Sequence, residues 1–143
     1  MSIWHGKPDL DALNRRGDGT LVAHLGIRYV DIGPDSLTAV MEVDERTRQP
    51  YGILHGGASV ALAETVGSAA GNLCVDPDRF LCVGLEINAN HVRPVRNGHV
   101  RATARPLHRG SRTQVWDIGI VDERGRAVCL SRLTLAVTAR RDR

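Results

Sequence analysis

Between Gly56 and about Leu73 the chain has the spacing of one long helix, built from unusually small side chains. Ala58, Ala61, Leu62, Thr65, Val66, Ala69, Ala70 and Leu73 form an apolar stripe at helical period, and Gly57, Gly67 and Gly71 interrupt the segment. Each glycine costs a helix about 1 kcal/mol relative to alanine, so such a helix needs close packing to persist. The segment predicts a sheet that wraps around the helix so tightly that larger side chains would not fit.

The flanking sequence supplies that sheet. Residues 21–32 and 36–43 read as two strands joined at Gly33-Pro34-Asp35, with Leu37, Ala39, Met41 and Val43 alternating with more polar neighbours. After a polar loop over 44–50 and the helix, the period returns to two in strands near 80–95, 99–108, 113–121 and 127–138. Asn97-Gly98, Arg109-Gly110 and Asp122-Glu123-Arg124-Gly125 read as hairpin turns between them. Asp9 caps a short helix through Asn14 and Arg15, which Gly17 ends. The expectation is an α+β layer with two strands, one central helix and a four-strand antiparallel meander. It forms one domain over residues 1–138, followed by an Arg-rich tail over 139–143. Two Trp, two Tyr and one Phe leave the core of this 143-residue chain to aliphatic and small side chains.

Composition excludes several functions. The net charge is +3, but three Arg and one Asp among residues 139–143 supply +2 of it, leaving the body at +1. Cys74, Cys82 and Cys129 are odd in number and show no metal-ligand spacing, so neither a disulfide framework nor a metal site is expected, and a reducing cytoplasm fits best. No signal peptide or membrane-spanning run is read, and there is no G-x-S-x-G, Walker loop, G-x-G-x-x-G or H-E-x-x-H. Scarce aromatics and the lack of any nucleic-acid motif argue against DNA or RNA as partner.

Two anomalies remain. Glu64 is the one formal charge between Gln49 and Val75, and a carboxylate in a small, apolar helix is costly unless it is paired or used. His55-Gly56-Gly57 stands where the loop enters the helix, where unpaired N–H groups and the helix dipole favour a developing negative oxygen. Glu64 lies eight residues beyond Gly56, about 12 Å along the axis, so one helix cannot bring its carboxylate to its own N-terminus. Two antiparallel copies across a two-fold interface can, giving two composite sites. Ser68, four residues after Glu64, shares its face. The second anomaly is the stretch Ile87 to Trp116, which has six Arg and three His but no acid. It suits a ligand with several phosphates, or is a solvated sheet face.

The segment from Arg48 to Ser59 (RQPYGILHGGAS) with Ala63-Glu64, then Gly84 to Arg93 (GLEINANHVR), Pro106 to Arg112 (PLHRGSR) and Val115-Trp116, resembles the hotdog-fold acyl-CoA thioesterases, in particular the branch acting on aromatic acyl-CoA. The resemblance implies a curved antiparallel sheet wrapped around one long central helix. It implies hydrolysis of an acyl-CoA thioester by a homo-oligomer, a dimer with shared sites assembled into a tetramer. No separate cofactor or metal is implied, since CoA is part of the substrate, and menaquinone synthesis is one setting. It assigns Glu64 as general base or nucleophile, Gly56 N–H and Gln49 as carbonyl polarisers, His55 as orienting the thioester and Ser68 as assisting Glu64. CoA contacts are implied at Gly84, His91, Val92, Arg93 and Pro94, and at His108, Arg109, Gly110, Ser111, Arg112 and Thr113. Tyr51 stands beside the acyl pocket where Phe is expected, and Pro94 departs from the pattern. A hydratase or dehydratase of the same fold, with His55 as base, and a basic nucleic-acid-binding module are the alternatives.

Overall fold

The computed structural model describes residues 1–141. Helix α1 (Leu10–Arg16) begins where the Asp9 carboxylate accepts from the Asp11 and Ala12 N–H groups, and ends at Gly17, as its sequence predicts. The next segment corrects the reading. Thr20 Oγ1 accepts from Val22 N–H and caps one helical turn, α2 (Leu21–His24), and Gly26 at φ +71° turns the chain, so strand β1 is only Arg28–Ile32. The apolar run 21–23 is strand-like in composition, but the cap before it and the glycine after it decide the local geometry.

The remaining elements are β2 (Leu37–Glu42), α3 (Gly56–Leu73), β3 (Phe80–His91), β4 (His99–Arg109), β5 (Thr113–Val121) and β6 (Ala127–Ala139). β3 thus ends at His91, short of residue 95. The six strands are antiparallel, in the order β1-β2-β4-β5-β6-β3, and curl around α3.

This order overturns the expected meander. Asn97-Gly98 closes no hairpin, because β3 pairs with β6 at the sheet edge while β4 lies between β2 and β5. Residues 92–98 instead form a crossing loop. Leu54 N–H donates to the Val95 carbonyl (2.7 Å), Val43 N–H to the Gly98 carbonyl (2.8 Å) and Arg48 Nε–H to the Arg96 carbonyl (3.0 Å). An Asn-Gly pair specifies a turn, whereas the strand's partner is fixed by long-range register, here from Leu37 opposite Ala104 to Glu42 opposite His99. The hairpins at Arg109-Gly110 and at 122–125 do form, with Gly110 N–H donating to the Thr113 carbonyl and Gly125 at φ +78°. Arg140 N–H donates to the Arg79 carbonyl, so pairing reaches into the expected tail; Asp142 and Arg143 lie outside the described residues.

The helix spans the expected residues but presents a different face. Its buried residues are Ala58, Ser59, Leu62, Ala63, Val66, Gly67, Ala70 and Gly71, while Ala61, Thr65 and Ala69 are half-exposed. The glycines are the contact itself rather than interruptions in it. A methyl group on Gly67 would stand 2.7 Å from Leu133 Cδ2 and 2.9 Å from Ile118 Cδ1. On Gly71 it would collide with Leu135 and approach Gln114 Oε1 to 2.6 Å. Below Gly71 a polar pair is fully satisfied in the core. Trp116 Nε1–H donates to Gln114 Oε1 (2.9 Å), and Gln114 Nε2–H donates to the Gly71 carbonyl (3.4 Å). Rotating the helix toward this face leaves Glu64, Thr65, Ser68 and Ala69 on its open flank.

Gly71→Ala should therefore destabilise the chain by about 1–3 kcal/mol in a denaturant titration, although alanine is the better helix former. An unchanged or higher unfolding midpoint would mean the helix is not held at glycine distance.

Candidate active site

The start of α3 is built by a tight loop. Gln49 N–H donates to the Ile53 carbonyl (2.8 Å), Gly52 N–H to the Gln49 carbonyl (2.9 Å), and Gly52 sits at φ +83°. Within this turn Gln49 Oε1 accepts from Tyr51 N–H, which directs the amide's Nε2 away, with no acceptor among the described residues. His55 then caps the helix. Its backbone N–H donates to the Thr47 carbonyl (2.8 Å), and its Nδ1 accepts from Gly57 N–H (2.8 Å). That bond leaves the imidazole proton on Nε2, so the exposed ring offers a donor there, and its Nδ1 lone pair is not available as a base. Gly56 N–H, the first of the helix, has no acceptor among the described residues.

The crossing loop closes the site from the other side. A side chain on Gly56 would stand 2.9 Å from His91 Nε2, so only glycine lets the imidazole lie over the helix start. Gln49, Gly56, His91, Val92, Arg93 and Pro94 line one cavity of about 490 Å³, together with Ile53, Leu54, Ser59 and Val128. These last four were not anticipated. Ser59, 1% exposed, follows His55 by one turn, and that spacing was the available signal; Val128 comes from a distant strand whose N–H and carbonyl positions face this loop, with Val92 N–H donating to its carbonyl.

Glu64 lies elsewhere, as its spacing demands. It packs on β3, where a methyl group on Gly84 would stand 2.6 Å from its Oε1. A register shift between Gly84 and Glu86 bulges β3 at this point. Glu64 takes part in no ion pair and no side-chain hydrogen bond among the described residues, and no carboxylate lines the Gln49–Gly56 cavity. Ser68 follows one turn on, and Asn72 another turn on holds α3 to β3 by accepting from Cys82 N–H (2.8 Å) and donating to its carbonyl (3.0 Å). Tyr51 is 87% exposed at the tip of its turn.

The two expected CoA segments are not brought together within one chain. His91 to Pro94 lie at the N-terminus of α3. His108 to Thr113 form the β4–β5 hairpin at the other end, where the Arg109 charge acts on the Cys74 thiol beside the helix C-terminus. An 18-residue helix is about 27 Å long, so the two sets are separated by nearly the width of the domain. The basic stretch is also dispersed. Arg105 pairs with Asp35 (3.3 Å), His99 Nδ1 meets Glu123 (2.9 Å), and Arg93 Nε–H donates to the Ala127 carbonyl (3.3 Å). Two members of this acid-free segment thus meet acids from neighbouring turns, Asp35 between β1 and β2 and Glu123 between β5 and β6.

Residues 51–129 match the family model described as the Thioesterase superfamily. The chain belongs to that superfamily. It is 58% identical over 135 residues to the 1,4-dihydroxy-2-naphthoyl-CoA hydrolase of Escherichia coli strain K12, covering 94% of this chain and 98% of that one. It is 54% identical to the proofreading thioesterase EntH of Cronobacter turicensis, covering 94% and 98%. The crystal structure of a mutant of thioesterase PA1618 from Pseudomonas aeruginosa superposes with a TM-score of 0.95 at 50% identity, covering 96% of this chain and 99% of that one. The fold is the hotdog fold, and the chain is a thioester hydrolase. Among the described residues no helix is long and apolar enough to cross a membrane.

The three thiols are free, and none is placed to act as a nucleophile. Burial pushes all of them up, Cys74 from 9.0 to about 11 despite the opposing pull of Arg109. Between those two values the folded chain keeps a proton that the unfolded chain has released, so stability falls as pH rises through that window. Thiol labelling at pH 8 should be slow in the native protein and complete within minutes once it is unfolded; rapid native labelling of Cys74 would contradict this environment.

Proposed function

We propose that the protein hydrolyses an aromatic acyl-CoA thioester to the carboxylic acid and free CoA, in a site shared between two copies of the chain. The observation that carries this reading is a division of labour. Free donors, Gly56 N–H and Gln49 Nε2–H, converge on a cavity without a carboxylate, while an unpaired carboxylate, Glu64, waits at the flank of the same helix beside a strand with an open edge. That strand, β3, is 12 residues long and exposes Leu81, Val83 and Leu85, so a second copy can pair with it and cover them. Two-fold pairing there makes the helices antiparallel and sets Glu64 of each chain against the other's helix start. A tetramer of such dimers would let the 108–113 hairpin of a further copy reach the nucleotide end of CoA.

In this site the thioester carbonyl oxygen receives hydrogen bonds from Gly56 N–H and Gln49, and His55 Nε2–H orients the thioester. In one route Glu64, assisted by Ser68, takes a proton from water as the water oxygen bonds to the carbonyl carbon. The resulting oxyanion is held by the same two donors. Collapse breaks the C–S bond, and the CoA sulfur leaves with the proton from Glu64. In the other route the Glu64 carboxylate attacks directly, expels the thiolate and leaves a mixed anhydride for water to cleave. His91 and Arg93, at the cavity mouth, are positioned for the phosphates, with Val92 and Pro94 framing the pantetheine entry and Gly84 giving the acyl carbon room beside Glu64. Tyr51, exposed in one chain, would be covered by the acyl group in the pair. The 1,4-dihydroxy-2-naphthoyl-CoA thioester, which the Escherichia coli relative's name gives, is the substrate we propose first, with menaquinone synthesis as its setting.

Thiol release from benzoyl-CoA should fall roughly 100-fold in Gln49→Ala and about 1,000-fold in Glu64→Gln. A Glu64→Gln protein with wild-type turnover would contradict the assignment. Consumption of an acyl-CoA without any free thiol would point instead to the hydratase alternative.

A further inference from the structure

A second cavity, of about 280 Å³, opens on the flank of α3 that carries Glu64. Thr65, Ser68, Ala69 and Asn72 of α3 line it, and so do Leu13 and Arg16 of α1, Val22 of α2 and Tyr29 of β1. An apolar cavity of about 150 Å³ already takes a benzene ring, so this one accommodates a substituted or fused aromatic. Thr65 and Ser68 begin within one turn of Glu64, so an acyl group whose thioester carbon lies beside that carboxylate extends naturally into it.

Two polar groups of this cavity are unused, the exposed Arg16 and the buried Tyr29. The Asn14 side chain accepts from Tyr29 N–H (2.8 Å) and donates to the Tyr29 carbonyl (3.0 Å), which locks α1 onto β1 and so sets Arg16 against Tyr29. Arg16 takes part in no ion pair or side-chain hydrogen bond among the described residues, and neither does the Tyr29 hydroxyl. Tyr29 is only 8% exposed, and burial raises its phenol above the ordinary value, with Arg16 pulling the other way. It therefore stays a neutral hydroxyl beside a permanent cation. Unpaired polar groups lining such a cavity have a use when a ligand brings the matching atom.

We infer that Arg16 and Tyr29 are specificity-determining residues that recognise an oxygen substituent, hydroxyl or phenolate, at the end of the acyl ring remote from the thioester. The guanidinium donates to that oxygen, and the Tyr29 hydroxyl either donates a hydrogen bond to it or accepts one from it. An unsubstituted or methyl-substituted ring fills the same space but makes no hydrogen bond to the exposed guanidinium and leaves the buried Tyr29 hydroxyl unpaired, and that difference is the source of discrimination. The inference rests on the thioesterase reading above, and deepens it by naming the substrate feature this chain selects.

The test compares kcat/KM for 4-hydroxybenzoyl-CoA and 4-methylbenzoyl-CoA, close in size, in the wild type and in Arg16→Met, Tyr29→Phe and Arg15→Met. Arg15 occupies the same helical turn but does not line the cavity. The wild type should prefer the hydroxylated ring, and Arg16→Met should cut that ratio about tenfold or more, as expected for a lost hydrogen bond to a charged group. Tyr29→Phe should lower it several-fold, and Arg15→Met should leave it unchanged. Equal losses on both substrates, or an unaltered ratio in Arg16→Met, would overturn the role of Arg16 while thioester hydrolysis stood. A wild type that releases thiol from neither substrate would overturn the hydrolase reading itself and this inference with it.

Discussion

The absence of side chains at Gly67 and Gly71 is the constraint on which the rest of the molecule depends. It lets α3 lie directly on Leu133, Leu135 and Ile118, so the sheet must curl around the helix rather than pack over it at ordinary distance. The buried contact fixes the helix rotation, and the rotation decides what is left on the other side. Glu64, Thr65 and Ser68 emerge on the open flank, at the rim next to the edge strand β3. The same close approach sets the height of the helix start, where the loop 92–98 crosses and His91 can lie over Gly56.

The chemistry we propose for that arrangement has two halves. At one end of the helix, backbone and amide donors are held rigidly by a loop whose hydrogen bonds are otherwise satisfied, which is the condition for stabilising an oxyanion without reorganisation. Two turns along, a carboxylate sits against a glycine on β3 and is engaged by nothing else among the described residues. Each half is incomplete alone, and the helix is too rigid to fold one onto the other. The open, apolar edge of β3 lies beside the carboxylate, so the surface that needs covering is also the one whose covering would complete the site.

Much of this was legible in the sequence, and the failures have physical causes. The glycines announced a close approach, but helical periodicity could not say which of two adjacent faces would be pressed to the sheet; the expected stripe put Ala61, Thr65 and Ala69 inward, where Gly67 and Gly71 belong. Thr20 and Gly26 turned an apolar run from strand into helical turn, a decision made by two residues against three. Asn97-Gly98 suggests a hairpin, and the chain bends there with Gly98 at φ +81°, but no hairpin forms because strand order depends on contacts far along the chain. The isolation of Glu64 and the His55-Gly56-Gly57 start were visible because both depend on local composition and helical rise. The acid-free stretch is partly neutralised by folding, which brings Asp35 to Arg105 and Glu123 to His99. Arg16 and Tyr29 gave no signal at all, since nothing in a linear reading shows that they face one cavity.

The central claim is that one site needs two chains, and subunit complementation tests it most directly. Glu64→Gln and Gln49→Ala proteins, each impaired alone, are mixed, allowed to exchange subunits, and assayed for thiol release from benzoyl-CoA. Random exchange makes half the dimers hybrid, and each hybrid carries one site with both residues intact, so activity should recover to roughly a quarter of wild type per site. A mixture no more active than the average of its two components after proven exchange would mean that Glu64 and Gln49 do not meet across an interface, and the account of the site would fail.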